Sequence, residues 1–380
     1  MKKRRISRII VAMLVIAMMA FTFAACGGSK DEDSDSSDTG ADTATKTAAD
    51  LNIQVVAKGF QHQFWQVVKQ GAQAAADELG VGTMDFNGPG AESEINVQVD
   101  LINSALAQNP DAIALAALDT DAVVGQLEDA LSKGIPVIGF DSGVPDAPAG
   151  SIAATASTDN ENAAALAAEK MMANAEFKAA IEAATADKPV TIAILSQDAT
   201  SASIIGRTKG YLDALKAALE AIHPGAVAVT GHDAYAAPAA NPAVVNILAQ
   251  VTPTSDAADL KNGAQAILGE KNLIGIFCSN EGAVTGLLNA TNDGADLADG
   301  ATYGDILVAG FDAGATQKKA VREGLFFGSV TQDPYQIGYQ AVSLAVKAAL
   351  GESVSDVDTG AKWYDASNMD DADIKDLIYD

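Results

Sequence analysis

Apolar and polar positions follow two different periods along the chain from about residue 51 onward. Short runs rich in β-branched residues, such as LNIQVVA at 51–57, precede longer segments in which apolar residues recur every three or four positions. In chain order, the pattern predicts strands at 51–57, 81–87, 111–117 and 135–141, separated by helices at 64–80, 94–108 and 121–134. Strands that alternate with helices in this way are typical of a doubly wound parallel sheet.

The same cycle begins again at residue 190. It predicts strands at 190–196, 226–231, 273–279 and 305–312, helices at 203–220, 256–270 and 281–291, and an Ala/Pro-rich insertion at 234–246. A chain of 380 residues is too long for one ordinary core, and 48% of its residues are hydrophobic. The prediction is therefore an α/β fold of two doubly wound parallel-sheet lobes.

One short phrase occurs twice, as GFDSG at 139–143 and as GFDAG at 310–314. Each copy follows the fourth predicted strand of its lobe, and ligands of open parallel sheets bind beyond the carboxyl ends of the strands. Glycine is expected to permit the sharp turn, leaving the aspartate as a hydrogen-bond acceptor. Asp141 and Asp312 are thus predicted to face each other across a cleft. The alternative is that each aspartate only caps a turn.

The N-terminus resembles the leader of a bacterial lipoprotein. A basic segment, MKKRRISR, precedes an apolar run that is too short for a comfortable membrane span, and small residues then precede Cys26. The resemblance implies a signal peptide at 1–25 and a lipid on Cys26. Ordinary signal cleavage with an incidental Cys26 is the alternative. The rest of 26–50 is rich in Asp, Ser, Thr and Ala, which predicts a disordered acidic tether.

The composition excludes several classes of partner. A formal net charge of -26 argues against nucleic acid and against docking on anionic lipid, since both need clustered Lys and Arg. Cys278 lies in an apolar run and is predicted to be a buried core residue, so no disulfide is expected. The three His residues are widely spaced, which predicts no metal site, and no cofactor is expected.

An enzyme is the rival class of protein. The sequence contains no GxSxG, HExxH, CxxC or P-loop pattern. Asp141 and Asp312 could form a carboxylate pair of the glycosidase type. We favour a non-enzymatic role, because acceptors for ligand hydroxyl groups explain both residues.

From about Asn52 to Leu350, this order of motifs resembles the type I periplasmic-binding-protein superfamily, in the branch of ribose-like, monosaccharide-binding lipoproteins of ABC importers. The resemblance implies two lobes that are joined by three hinge crossings and that close on a sugar. It places the N-terminal lobe at 51–157 with 333–360, and the C-terminal lobe at 158–332 with 361–380. We expect a monomer.

The resemblance also implies a set of ligand-binding residues. The first strand–helix loop matches the loop that places a polar residue and two aromatics against the sugar. The implied residues are Lys58, His62, Phe64, Trp65, Asp141, Ser201, Ser203, Asn280, Asp312 and Gln332.

Two arginines of the ribose type are missing from this set. Ser142 follows Asp141 where ribose binders have Arg, and Ile205 stands at the second position. Arg207 is expected to be structural. Lys58 resembles the autoinducer-2 and polyol branch, so ribose itself is not assumed.

The expected function is capture of a monosaccharide or similar polyol by hinge closure, followed by delivery to an ABC transporter permease. The implied location is outside the cytoplasm, on the outer face of the cell membrane, with attachment through the lipid alone. The alternative is a sensory receptor for autoinducer-2 or another small polar ligand that reports to a membrane kinase or chemoreceptor.

Overall fold

The computed structural model describes residues 46–379 of the protein. These residues form two β-sheets with helices packed against them. The strands are β1 (Asn52–Val56), β2 (Thr83–Asn87), β3 (Ala112–Leu115), β4 (Val137–Phe140), β5 (Ile152–Ser157), β6 (Val190–Ser196), β7 (Val227–Gly231), β8 (Val245–Val251), β9 (Leu273–Cys278), β10 (Leu307–Phe311), β11 (Gly328–Gln332), β12 (Val357–Asp358) and β13 (Ala361–Tyr364). The helices are α1 (Gln63–Leu79), α2 (Ile95–Ala107), α3 (Val124–Ser132), α4 (Asn160–Ala173), α5 (Ala175–Glu182), α6 (Ala202–Ile222), α7 (Ala257–Leu268), α8 (Glu281–Ala290), α9 (Ala315–Arg322) and α10 (Pro334–Ala349).

The first sheet has the order β12-β5-β4-β3-β1-β2, and all its strands are parallel. The second has the order β13-β11-β10-β9-β6-β8-β7 and is parallel except for β13, which runs antiparallel to β11. We call the first sheet with α1, α2, α3 and α10 the N-lobe, and the second sheet with α4 to α9 the C-lobe. The predicted fold class is confirmed.

The chain passes between the two sheets at three places. β5 of the first sheet ends at Ser157, and α4, which packs on the second sheet, begins at Asn160. β11 ends at Gln332, and α10 returns to the first sheet from Pro334. β12 in the first sheet is followed by β13 in the second. These three crossings form the hinge.

β8 was not predicted, and its omission made one strand count wrong. Residues 245–251 alternate between buried and partly exposed positions over most of their length, as a strand does, but Ala- and Pro-rich residues precede them without an intervening helix. β10 is therefore the fifth strand of its lobe along the chain, not the fourth. In space, β10 lies beside β9 as β4 lies beside β3, so the two GFD phrases still occupy equivalent edges. Residues 152–182 also form β5, α4 and α5, which the pattern did not predict.

Close packing of α1 on α10 holds the start of α1 at the edge of the first sheet. A Cβ atom on Gly71 would lie 1.9 Å from the Tyr335 carbonyl oxygen, and one on Gly338 would lie 1.9 Å from that of Val68. Only glycine permits this approach of the two helices. The contact places the residues that precede Val68 beside the ends of β1 and β4.

Near the start of the described residues, residues 48–50 form a short 3₁₀ turn whose Ala48 carbonyl accepts a hydrogen bond from Gly82. The predicted signal peptide, Cys26 and most of the predicted tether lie outside the described residues. Within residues 46–379, no helix combines the length and apolarity needed to cross a membrane. Cys278 is fully buried in β9, as expected.

Candidate functional site

The two repeated aspartates make the turns at the ends of their strands. Asp141 has φ 52° and Asp312 has φ 77°, both in the left-handed region that Asp tolerates better than most residues. The Asp141 amide donates to Ala156 of the adjacent strand at 3.0 Å, and the Asp312 amide donates to Val330 at 2.7 Å. The two turns are therefore equivalent, and each turns the chain sharply at the carboxyl end of a central strand.

The glycines of the phrases have a different role from the one predicted. Gly139 and Gly310 are not in the positive-φ region. A Cβ atom on Gly139 would lie 2.7 Å from Thr155 Oγ1, and one on Gly310 would lie 2.5 Å from Gln317 Nε2. These glycines make room for neighbouring side chains, and the aspartates themselves take up the strained backbone conformation.

Arg207 lies between the two aspartates. Its guanidinium nitrogens are 3.9 Å from Asp141 Oδ1 and 3.6 Å from Asp312 Oδ2, and its Cζ lies 4.0 Å from the centre of the Phe311 ring. Nε donates to Asn160 Oδ1 at 2.8 Å. Arg207 was expected to be structural, and its position adds a place in the cleft, because α6 presents Ser203, Ile204 and Arg207 on one face and that face lines the cleft.

Burial raises the pKa of Asp141 to about 6, from an ordinary value of 3.8. Asp312 and Glu92 raise it further, while Lys58 and Arg207 oppose the change. The two positive side chains therefore do not fully offset the cost of removing this carboxylate from water.

Lys58 and Glu92 form a second charged pair in the cleft. Lys58 Nζ lies 3.8 Å from Glu92 Oε2 and 3.4 Å from both Ser201 Oγ and Ser203 Oγ. Burial alone would raise the pKa of Glu92, but Lys58, His62 and hydrogen bonds from Trp65 and Gln197 outweigh it and lower the pKa to about 2. Glu92 is thus a fixed negative charge, which the sequence interpretation did not single out.

The aromatic pair of the first loop lines the same cleft. The Phe64 and Trp65 rings meet edge to face with centroids 5.0 Å apart. Trp65 is 1% exposed and donates from Nε1 to Glu92 Oε1 at 2.7 Å. Phe64 also packs at 6.4 Å against the ring of Tyr379. Both aromatics are therefore held rigidly, as a platform for a ligand requires.

Glu281, the first residue of α8, is a further cleft residue that sequence reasoning missed. One carboxylate oxygen lies 4.0 Å from His62 Nδ1, and the backbone amides of Gln63 and Phe64 act to lower the pKa of the carboxyl group. Burial raises the pKa of Glu281 to about 7, with Asp312 adding to the effect and His62 opposing it. Its position directly after the predicted Asn280 was the available signal.

Two amides complete the cleft wall on the C-lobe side and at the hinge. Asn280 caps α8 through its Oδ1, which accepts from Ala283 at 3.0 Å, and its Nδ2 donates to Gln197 Oε1 at 2.6 Å. Gln332 Nε2 donates to Asp312 Oδ1 at 2.7 Å. That bond is made by the amide nitrogen and fixes the orientation of the Gln332 amide. The amide oxygen is left as an acceptor.

Nine of the ten predicted ligand-binding residues line one cavity, and Ser201 lies just behind it on Lys58. The empty space among these residues measures about 290 Å³, including its opening to solvent. Its lining residues are Lys58, His62, Phe64, Trp65, Glu92, Asp141, Ser203, Ile204, Arg207, Asn280, Glu281, Asp312 and Gln332. In residues 46–379, no cluster of His, Cys, Asp or Glu side chains is arranged to hold a metal ion.

Two helix N-termini at the cleft are capped from the opposite lobe. Within residues 46–379, the N-cap residues of α6 and α9 make no side-chain capping bond of their own. Ser142 Oγ of the N-lobe accepts from Ser203 of α6 at 3.2 Å, and Gln63 Oε1 of the N-lobe accepts from Ala315 of α9 at 2.8 Å. Both bonds join the two lobes, so an opening of the cleft would break them.

Removing a cross-lobe cap is expected to weaken ligand binding rather than unfold a lobe. One helix cap contributes about 1 kcal/mol, so Ser142→Ala and Gln63→Ala should each raise the Kd for a ligand bound in the closed form about fivefold. Asn174→Ala is the matched control, because Asn174 caps α5 within the C-lobe. The control should lower the free energy of unfolding by about 1 kcal/mol and leave the Kd unchanged. Calorimetric titration measures the Kd, and urea denaturation measures the free energy of unfolding. An unchanged Kd in Ser142→Ala and Gln63→Ala, with a raised Kd in Asn174→Ala, would contradict this role.

Glu281→Gln is expected to stabilise the ligand-free protein by about 2 kcal/mol at pH 8 but by only a few tenths at pH 4.5. The folded-state pKa of about 7 exceeds the ordinary value of 4.5, so the native state binds more protons than the unfolded chain between these values. The contribution of Glu281 to stability therefore falls as the pH rises from about 4.5 to 7. Urea denaturation at both pH values measures the difference. Glu182→Gln at an exposed position of α5 is the control, and an equal gain in the two variants would contradict the burial of charge at Glu281.

The chain belongs to the periplasmic binding protein domain family, whose family model matches residues 53–353. It is 24% identical over 325 residues to the D-allose-binding periplasmic protein of Escherichia coli, covering 84% of this chain and 91% of that protein. The family and this relative are both described as binding proteins, so the protein is a type I periplasmic binding protein and not an enzyme.

Solved structures agree with this assignment. A Brachyspira murdochii protein described as an ABC transporter, LacI family transcriptional regulator, has a TM-score of 0.72 at 42% identity, covering 87% of this chain and 99% of that one. An ABC transporter solute-binding protein of Agrobacterium vitis with bound D-fucose has a TM-score of 0.71 at 28% identity. The match covers 86% of this chain and 100% of that one.

Proposed function

We propose that the protein captures one monosaccharide, or a similar polyol, in the cleft between its lobes and delivers it to an ABC transporter permease. The observation that carries this proposal is the pair of left-handed aspartates, Asp141 and Asp312, which reach the cleft from opposite lobes with Arg207 between them. A ligand that bonds to both walls favours the closed form by its differential affinity for that form.

The chemistry of the walls supports a polyhydroxylated ring. Carboxylates and amide oxygens accept hydrogen bonds from hydroxyl groups, and the Lys58 and Arg207 side chains donate to hydroxyl oxygens. The rigid Phe64 and Trp65 rings offer faces and edges for the C–H surface of a sugar. Relatives described as binding D-allose and D-fucose support the same ligand class.

Ribose is not the ligand we favour. Ser142 and Ile205 stand where the resemblance places arginines, and Ser142 serves as a cap for α6. Arg207 reaches the cleft from one helical turn past Ser203, which leaves a different distribution of donors around the ligand.

We further propose that the mature protein is a monomer held outside the cell membrane by a lipid on Cys26. Support comes from the basic segment, the short apolar run and the small residues Ala24 and Ala25 before Cys26. Membership of a periplasmic binding protein family supports an extracytoplasmic location. Metabolic labelling with a radioactive fatty acid tests the anchor. The wild-type protein should carry the label, and the Cys26→Ser variant should carry none.

A thermal-shift panel tests the ligand class. It would contain D-allose, D-fucose, D-arabinose, D-ribose, D-glucose, D-galactose, myo-inositol and sorbitol. A ligand at about 100 times its Kd adds about 2.7 kcal/mol of stability, which raises the melting temperature by several degrees. We expect such a shift with at least one of these compounds. No shift in protein freed of bound ligand by unfolding and refolding would contradict the proposal.

A further inference from the structure

Two of the acceptors that line the cleft beside Asp312 have no donor within the described part of the chain. Glu281 Oε2 and Gln332 Oε1 are buried, and neither has a hydrogen-bond partner among residues 46–379. Both residues bond to Asp312, whose carboxylate accepts from the Glu281 backbone amide at 3.1 Å and from Gln332 Nε2 at 2.7 Å. A buried acceptor without a partner costs about 1–3 kcal/mol, so a ligand that binds here must bring donors to this corner.

The charges of the cleft show the same imbalance. Four carboxyl groups face the cavity, those of Glu92, Asp141, Glu281 and Asp312, against two side chains with a permanent positive charge, Lys58 and Arg207. Lys58 lies against Glu92, and Arg207 lies between the two aspartates. The basic group near Glu281 is His62, at 4.0 Å. Of the four carboxyl groups, that of Glu281 is thus the one that neither Lys58 nor Arg207 contacts, and it lies at the same corner.

From these two observations we infer that the ligand carries a protonated amine beside its hydroxyl groups, and that the corner formed by Glu281, Gln332 and Asp312 binds this amine. The inference rests on the proposed function and narrows the ligand to an amino sugar or amino polyol. An ammonium group offers three donors and no acceptor, which matches a corner made of acceptors. A single hydroxyl group offers one donor, so a neutral sugar would need two hydroxyl groups at this corner to satisfy both unpartnered oxygens.

The burial of Glu281 agrees with this assignment. Removal from water raises the pKa of its carboxyl group to about 7, so charging it in the cleft is costly. An ammonium group within hydrogen-bond distance would stabilise the ionised form through a charge-assisted bond. The competing possibility is a protonated Glu281 that donates to a neutral hydroxyl group of the ligand. The amine model predicts tighter binding of an amino sugar than of the sugar with a hydroxyl group in its place, and the competing model predicts the reverse.

Calorimetric titration at pH 7.0 with pairs of an amino sugar and its hydroxyl counterpart distinguishes the two models. The pairs are D-glucosamine with D-glucose, D-galactosamine with D-galactose, and 3-amino-3-deoxy-D-allose with D-allose. We expect at least one amino sugar to bind ten times more tightly than its hydroxyl partner. Glu281→Gln should reduce that ratio to about one or below, because its amide places a donor at the unpartnered position. Glu182→Gln removes one negative charge from an exposed position of α5 and should leave the ratio unchanged.

Each result has one interpretation. Tighter binding of every neutral partner would overturn the amine inference and leave the proposed function standing. An amine preference that survives in Glu281→Gln would overturn the assignment of the amine to this corner. If no member of any pair binds and the wider panel also gives no shift, both the inference and the proposed function fail.

Discussion

Arg207→Met is expected to lower the free energy of unfolding by about 3 kcal/mol at pH 7.5. The Arg207 guanidinium lies within 4 Å of both Asp141 and Asp312, and all three side chains are nearly inaccessible to solvent. Methionine keeps much of the volume but leaves two buried carboxylates without a positive partner. Removing one member of a buried ion pair costs far more than the pair itself contributes, because the remaining charge is uncompensated.

The loss in Arg207→Met should shrink as the pH falls. Asp141 already has a pKa of about 6, above the ordinary value of 3.8, and loss of Arg207 removes an interaction that lowers it. Protonation below pH 6 then relieves the repulsion, so the variant should recover most of the lost stability by pH 5. Arg322→Met is the matched control, since Arg322 pairs with Asp370 on the surface with 57% of its side chain exposed. The control should lose at most about 0.5 kcal/mol at either pH. Urea denaturation that gives equal losses for the two variants would contradict the central position of Arg207.

Asp141→Asn and Asp312→Asn are each expected to weaken sugar binding about 100-fold. Asparagine keeps the size of the side chain but replaces one acceptor oxygen with a donor, which leaves a ligand hydroxyl facing another donor. The loss of a charge-assisted bond and the unsatisfied group together cost about 3 kcal/mol. Asparagine also tolerates the left-handed backbone, as Asn109 and Asn292 do at φ 48° and 51° in this chain. The substitution therefore separates the chemistry of the carboxylate from the strain of the turn.

Asp293→Asn is the control for these two substitutions. Asp293 also has a left-handed backbone, at φ 55°, but it is exposed and lies outside the cleft. Calorimetric titration with a sugar that shifts the melting temperature should give an unchanged Kd for this variant. Affinities within threefold of the wild type for both cleft variants would exclude the aspartates as ligand-binding residues.

The fold was largely predictable because buried, apolar positions recur along the sequence with the period of a helix or of a strand. Strands β6 and β9 are continuous apolar runs flanked by helical segments, and both were predicted nearly to the residue. β8 was missed because a parallel strand normally follows a helix, whereas here a loop and a single bridge from Val229 to Ala237 connect it to β7. The period of a strand is local, but the neighbour with which it pairs is not.

The candidate site was partly predictable for a similar reason. The repeated GFD phrase identified Asp141 and Asp312 because a short local pattern marks the end of a strand in both lobes. Glu92, Arg207 and Glu281 were not identified, since their place in the cleft depends on how helices and loops of opposite lobes meet. The spacing of four residues from Ser203 to Arg207 was the only local signal that both share one face of α6.

The most direct test of the central claim is a crystal structure of the protein with the sugar that gives the largest thermal shift. The account predicts one sugar ring between Phe64 and the group formed by Asp141, Arg207 and Asp312, with its hydroxyl oxygens about 2.7 Å from the carboxylates. It also predicts that the caps from Ser142 to α6 and from Gln63 to α9 are present in that complex. A sugar bound outside the cleft, or a cleft that is empty at saturating sugar, would contradict the account.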